Sequence, residues 1–183
     1  MKPAGTEGRY RMYVDKETMK VKVLDIDPII QKTKENGKLE LHKEEMIKCC
    51  QFAVVYGLNE EENTVSFKCV DDVDGEEVFL YDDEEAASLY VGPFNPEDGN
   101  FADRASFKLR YAFFSYSDER NCSIESYLNK RHFIYSDPET GSCRLELYDG
   151  SNDFMVYANW QILDDCAPQK EEESEFDYWS SLI

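Results

Sequence analysis

The chain has 183 residues, of which 39 are acidic and 20 basic, for a net charge of −19. That field excludes nucleic acid and anionic membrane surfaces as partners, because phosphate contacts need clustered Lys and Arg. Apolar residues make up 42% and aromatics 14%, enough for one well-cored domain.

No run of 18 apolar residues is present, so no membrane-inserted helix is expected. Residues 1–18 contain no apolar core of a signal peptide. The expectation is a cytoplasmic protein or precursor, or one that leaves the cell by a leaderless route and acts outside it, with an upstream pro-segment left open. The six cysteines show no CxxC pair and no zinc spacing. They read as mostly reduced and buried or half-buried.

Twelve β-type runs follow one another, at 9–14, 20–26, 38–42, 47–56, 64–69, 77–81, 88–91, 106–115, 122–126, 132–136, 143–148 and 154–162. Turn chemistry separates several of them: Asn36–Gly37, Asp74–Gly75, residues 138–141 and Asp149–Gly150. Alternation is clean at 20–23 and 144–147, which predicts strands with one buried and one wet face. Helix signals are confined to 28–35 and 84–89, neither with a strong cap and a long apolar stripe. Many short strands at this spacing mean an all-β barrel or sandwich. Twelve is also the strand number of a β-trefoil, but no internal sequence repeat stands out. At Cys166 the pattern changes to a polar, acidic run with an aromatic end. The division is therefore a domain at 1–165 and a flexible acidic tail at 166–183.

Motifs that carry chemistry are missing. The two histidines, His42 and His132, have no neighbouring ligand at metal spacing. GxSxG, GxxxxGK[ST], GxGxxG and HExxH are absent. The acidic stretches 71–77 and 82–85 lack the ligand spacing of a calcium loop and read as turns. These absences predict no metal, no cofactor and no enzyme.

Residues 124–136, IESYLNKRHFIYS, resemble the signature of the interleukin-1 cytokine family. Glu125, Ser126, Phe133, Ile134 and Ser136 fit signature positions. Lys130 stands where the family usually has Pro, His132 where it has Trp, and Tyr135 where it has a small residue. Three more stretches are similar in the same order: Tyr10–Arg11–Met12–Tyr13; residues 52–58 with 64–69; and residues 153–157.

The resemblance implies a twelve-strand β-trefoil with pseudo-threefold symmetry. It implies a monomeric, non-enzymatic ligand, agonist or antagonist, of a cell-surface receptor with immunoglobulin-like domains. Arg11, Tyr13, Lys130, Arg131 and His132 become receptor-binding candidates, whereas Glu125, Ser126, Phe133 and Ile134 become structural ones. The rival expectation is an intracellular all-β protein-binding module that uses its acidic face or tail. A heparin-binding growth factor is disfavoured by the missing basic patch. A ricin-like sugar binder is disfavoured by the lack of a repeated Gln-x-Trp.

Overall fold

The computed structural model describes residues 2–3, 10–25, 51–70, 75–83, 88–111, 121–137 and 140–161. They form an all-β molecule of antiparallel strands. In chain order these are β1 (Lys2–Pro3), β2 (Tyr10–Asp15), β3 (Lys20–Asp25), β4 (Phe52–Tyr56), β5 (Val65–Cys69) and β6 (Val78–Asp83). Then come β7 (Ser88–Pro93), β8 (Phe107–Tyr111), β9 (Asn121–Ser126), β10 (His132–Ser136), β11 (Cys143–Leu147) and β12 (Asn159–Gln161). Helix α1 (Phe101–Arg104) precedes β8, and α2 (Asn152–Ala158) precedes β12. No helix among the described residues is long and apolar enough to cross a membrane.

Period-two burial explains the strands. β2 buries Met12 and Val14, and the facing β3 buries Val21. Gly75, Gly141 and Gly150 hold φ of 82°, 67° and 85° at the turns that the sequence marks. At Gly141 the freedom has a second use. Its carbonyl accepts from Val23 N at 2.6 Å, and a Cβ there would lie 3.2 Å from Val23 O.

Three hairpins pair along their length: β2–β3, β6–β7 and β10–β11. The other strands pair in the series β4–β5, β5–β8, β8–β9, β9–β12 and β12–β1. The register repeats. Val65 faces Phe107 as Cys122 faces Trp160. Lys68 faces Phe79 as Glu125 faces Phe133. Tyr56 faces Val65 as Tyr111 faces Cys122, and Phe52 faces Cys69 as Phe107 faces Ser126. One set of equivalences satisfies every pair, so 65–111 and 121–161 share one plan: two strands, a third, a helix and a fourth strand.

The same layers fill the core. Phe67 and Ile124 occupy equivalent buried positions, and so do Leu80 and Ile134, and Phe107 and Trp160. Phe67 and Phe107 meet at 5.7 Å between ring centroids. The Trp160 indole donates to Ile134 O at 2.8 Å, so burying its N–H leaves nothing unpaired.

One expected strand is corrected. Residues 154–162 do not form a single strand, because 152–158 is helical and only 159–161 pairs. Ser151 caps that helix, accepting from Phe154 N at 3.1 Å, and Phe154 and Ala158 bury at i and i+4 on one face. The β-forming composition of FMVY hid that period. β1 and α1 were not expected at all. The expected strand at 38–42, the expected helix at 28–35, His42, Cys49, Cys50, Cys166 and the tail 166–183 lie outside the described residues. Cys122 and Cys143 are free thiols, and they and Cys69 are buried. Burial pushes the Cys122 thiol up to about 12 and raises Cys143 as well, so neither is a thiolate at neutral pH.

Candidate functional site

The residues expected from the sequence separate into two regions. Arg11 and Tyr13 lie on β2, with Tyr13 half-buried opposite Lys22. Lys130, Arg131 and His132 lie at the β9–β10 turn, where Lys130 and Arg131 are exposed. No described hydrogen bond, ion pair or strand register joins the two groups.

The turn is held by the signature residues. Arg131 takes φ of 63°, and its N–H donates to Glu125 Oε1 at 2.9 Å. Glu125 Oε2 accepts from Arg110 Nε at 2.6 Å, so this nearly buried carboxylate is paired on both oxygens. Ser126 Oγ accepts from Asn129 N at 3.0 Å. Phe133 and Ile134 are fully buried. Each of these four residues therefore has a structural task.

Beside that turn, β10, β11 and the start of α2 enclose a cleft of about 430 Å³. Its lining includes Tyr135, Arg144, Glu146, Asp149, Asp153 and Phe154. Arg144 faces Tyr135 across the hairpin, with its guanidinium 5.5 Å from the ring centroid. The same guanidinium donates to Glu146 at 2.6 Å and to Asp137 at 2.7 Å, which fixes it and raises its pKa. The Tyr135 ring also packs on Phe154 at 5.3 Å and Tyr157 at 5.8 Å. Burial raises its phenol pKa, so the hydroxyl remains a donor at neutral pH. Asp149 accepts from Ser151 N at 2.8 Å, and this bond holds its carboxyl below the usual range. The turn candidate Arg131 reaches this rim, donating to Tyr148 O at 3.4 Å.

The cleft thus offers a fixed aromatic ring, a fixed guanidinium fork and carboxyl groups around half-open space. Carboxylates accept from hydroxyls, the fork donates, and the ring face packs on C–H groups. Among the described residues, no group of three or more His, Cys, Asp or Glu is placed to hold a metal.

The sequence held a signal for this site that its reading passed over. Met12–Tyr13–Val14–Asp15, Leu80–Tyr81–Asp82–Asp83 and Ile134–Tyr135–Ser136–Asp137 repeat a buried apolar residue, Tyr, any residue, Asp. Each tyrosine lies on the first strand of a hairpin. The residues facing the tyrosines are Lys22, Tyr90 and Arg144. Lys22 bonds Asp15 at 2.6 Å, as Arg144 bonds Asp137. In the middle hairpin the cation comes from elsewhere: Arg104 of α1 sits 5.3 Å from the Tyr81 ring centroid and pairs with Asp98. Four positions repeated at intervals of 54 to 68 residues are too sparse to stand out before the register is known.

No protein-family model and no curated protein matches the chain. Solved structures do. A mutant of a GH54 α-L-arabinofuranosidase soaked with 4-nitrophenyl α-L-arabinofuranoside is similar at a TM-score of 0.54 and 14% identity, over 87% of this chain and 32% of that one. A GH54 arabinofuranosidase complexed with arabinofuranosyl-α-1,2-xylobiose gives 0.53 and 14%, over 87% and 32%. A GlcNAcα1-4Gal-releasing endo-β-galactosidase from Clostridium perfringens gives 0.52 and 9%, over 84% and 32%. The chain spans about a third of each of these proteins. These neighbours overturn the expectation that the chain is not an enzyme, which rested on missing motifs. Glycoside hydrolysis needs two carboxyl groups at a set separation, supplied from anywhere in a fold, so no motif search excludes it. The chain adopts a fold that glycoside hydrolases contain.

Proposed function

We propose that the chain is a carbohydrate-recognising β-trefoil, and that the cleft over Tyr135 is where the sugar sits. Three four-strand units, β1–β4, β5–β8 and β9–β12, would surround a pseudo-threefold axis. The repeated register, the three hairpins and the thrice-repeated Tyr and Asp support that arrangement. The observation that carries the function is the cleft itself, a half-open space with an aromatic ring beside a tethered guanidinium and carboxyl groups. It suits an uncharged polyhydroxy ligand, and its acidic rim repels anionic glycans. The sugars in the neighbours' names, arabinofuranosides and galactosides, are the first ligands to try.

Calorimetric titration with 4-nitrophenyl α-L-arabinofuranoside and with a β-galactoside tests the reading. Binding is expected for at least one, with a tenfold or greater loss in Tyr135→Ala and little change in Tyr81→Ala. Release of 4-nitrophenolate in the same sample scores cleavage. No binding to either glycoside, or binding unaffected by Tyr135→Ala, overturns the assignment.

A second reading, a ligand for an immunoglobulin-domain receptor, is favoured by exposed Lys130 and Arg131 beside the interleukin-1-like signature. Surface plasmon resonance on interleukin-1-type receptor ectodomains tests it. Binding that Lys130→Glu with Arg131→Glu weakens supports it, and absence of binding to any such ectodomain removes it.

A further inference from the structure

The fold gathers positive charge that the order of the sequence keeps apart. Lys108 faces Glu125 across the β8–β9 ladder, and Arg110 lies two residues on, on the same face of β8. The Lys108 ammonium sits 5.3 Å from the ring centroid of Tyr127, at the β9–β10 turn. Arg110 bonds one oxygen of Glu125, whose other oxygen accepts from Arg131 N. His132 Nδ1 lies 3.2 Å from Lys130 O on the same turn. Five basic side chains thus share one carboxylate in these contacts, and that carboxylate is nearly buried. Their own heads reach water: Lys130 and Arg131 are exposed, and the Arg110 side chain is 46% exposed. By contrast, Lys22, Lys68, Arg104 and Arg144 each meet a carboxylate of their own. Burial, then the charges of Glu61 and Asp103, raise the Tyr127 phenol, so acidic charge resumes on that side and bounds the patch.

The chain carries a complement to this patch. Residues 171–177 read EEESEFD, five carboxylates in seven positions, and Tyr178 and Trp179 follow. β12 ends at Gln161, opposite Asn121 at the start of β9. The ten residues from there to Glu171 span at most about 33–36 Å. β9 covers roughly 17 Å on its way to the turn, so the acidic run is long enough in reach to meet the patch. Leu128, 38% exposed on the turn, offers an apolar contact to the aromatic end of the run.

We propose that residues 171–177 dock on the basic patch formed by Lys108, Arg110, Lys130 and Arg131, as an intramolecular cover. The tether selects this occupant. A free polyanion must approach a molecule of net charge −19, whereas an attached segment is present at an effective concentration of about millimolar, whatever the overall field. The guanidinium of Arg131 suits a carboxylate of the run, accepted side by side on its fork. Exposed ion pairs are individually weak, so the contact exchanges readily and salt loosens it, charges being screened beyond about 10 Å at 0.1 M. The inference rests on neither reading of function above. Its consequence is regulatory: the cover hides the exposed cations of the turn until a stronger acidic surface displaces it.

Carbodiimide coupling of the full chain, read by mass spectrometry on the monomeric species, tests the contact, because the reagent joins an amine to a touching carboxylate with loss of water. Crosslinks from Lys108 and Lys130 to residues 171–177 are expected, at least fivefold above those from Lys16, an exposed lysine of the β2–β3 turn. They should fall at least fivefold in 1 M NaCl and in Arg131→Glu, which leaves both reporter lysines in place. A heparin tetrasaccharide serves as a free polyanion in a second measurement. The full chain with Glu171→Gln, Glu172→Gln and Glu173→Gln should bind it at least tenfold more tightly than the wild type. Glu17→Gln, Glu76→Gln and Glu97→Gln together, the same change of net charge at exposed positions elsewhere, should give no such gain. Crosslinks absent from Lys108 and Lys130, matched at Lys16, or indifferent to Arg131→Glu overturn the proposal. So does equal heparin binding by the wild type and the 171–173 variant, which would mark the patch as an open site for anionic glycans.

Discussion

Residues 65–111 and 121–161 share strand order, register and core layers, yet present different surfaces over the same tyrosine. In the second, Tyr135 borders an open cleft, and its cation, Arg144, comes from the facing strand. In the first, the facing strand offers Tyr90 instead, and the cation, Arg104, comes from a helical turn. There Tyr81 is packed by Phe101 at 5.3 Å, and Phe94 leans on Phe101 at 5.7 Å. The guanidinium–ring separations are nearly equal, 5.3 and 5.5 Å, although the arginines have unrelated positions in the plan. Buried positions and register set the fold, and outward positions are free to rebuild a contact by another route.

Core truncation should show the two halves as one structure. Ile134→Ala and Leu80→Ala, at equivalent fully buried positions, should each cost roughly 3–4 kcal/mol in urea unfolding. Two separate unfolding transitions, each shifted by only one of the substitutions, would mean that the halves unfold separately. Ile134→Ala leaves the carbonyl that accepts from Trp160 in place.

The next effect separates the halves. Glu125 and Lys68 are equivalent, but Glu125 is 8% exposed and paired to Arg110 and to Arg131 N, whereas Lys68 meets exposed Glu77. Glu125→Ala should cost roughly 2–3 kcal/mol, because it strands a backbone N–H and loosens the turn. Lys68→Ala should cost less than about 1 kcal/mol. Equal losses in chemical denaturation would erase the distinction.

The helices allow a finer comparison. Ser151 caps α2 through its hydroxyl, while Asn100 makes no such bond to α1. Ser151→Ala should cost about 1 kcal/mol and Asn100→Ala a few tenths, read as shifts in melting temperature.

The smallest effect sits in the first hairpin. The Lys22 ammonium holds the Asp15 carboxyl down at about 2. Its folded value lies below its unfolded one, so its support is present above about pH 4 and is lost as pH falls through about 2. An NMR titration should give that low midpoint for Asp15, and Lys22→Met should return it toward about 4.

Much of the fold was legible in the sequence. Runs of β-branched and aromatic residues with glycine turns located most of the described strands, and 132–136 coincides with β10. The helix at 152–158 was not legible, because Phe, Met, Val and Tyr favour strands when the Ser151 cap goes unnoticed. The site was half legible. The basic turn drew attention by its charge, while Tyr135 looked only like a departure from a cytokine signature. Its partner Arg144 becomes visible only when the hairpin register places the two face to face.

The pairing of Lys2 with Gln161 has a topological consequence. The two ends of the described fold lie on adjacent strands, so a short linker could join them into a ring. A new opening in the exposed turn at Glu60–Glu62 would keep every strand and every register, altering only the order in which the units leave the ribosome. A permuted chain that folds with the same stability would show that the strand registers, and not the order of synthesis, specify the molecule.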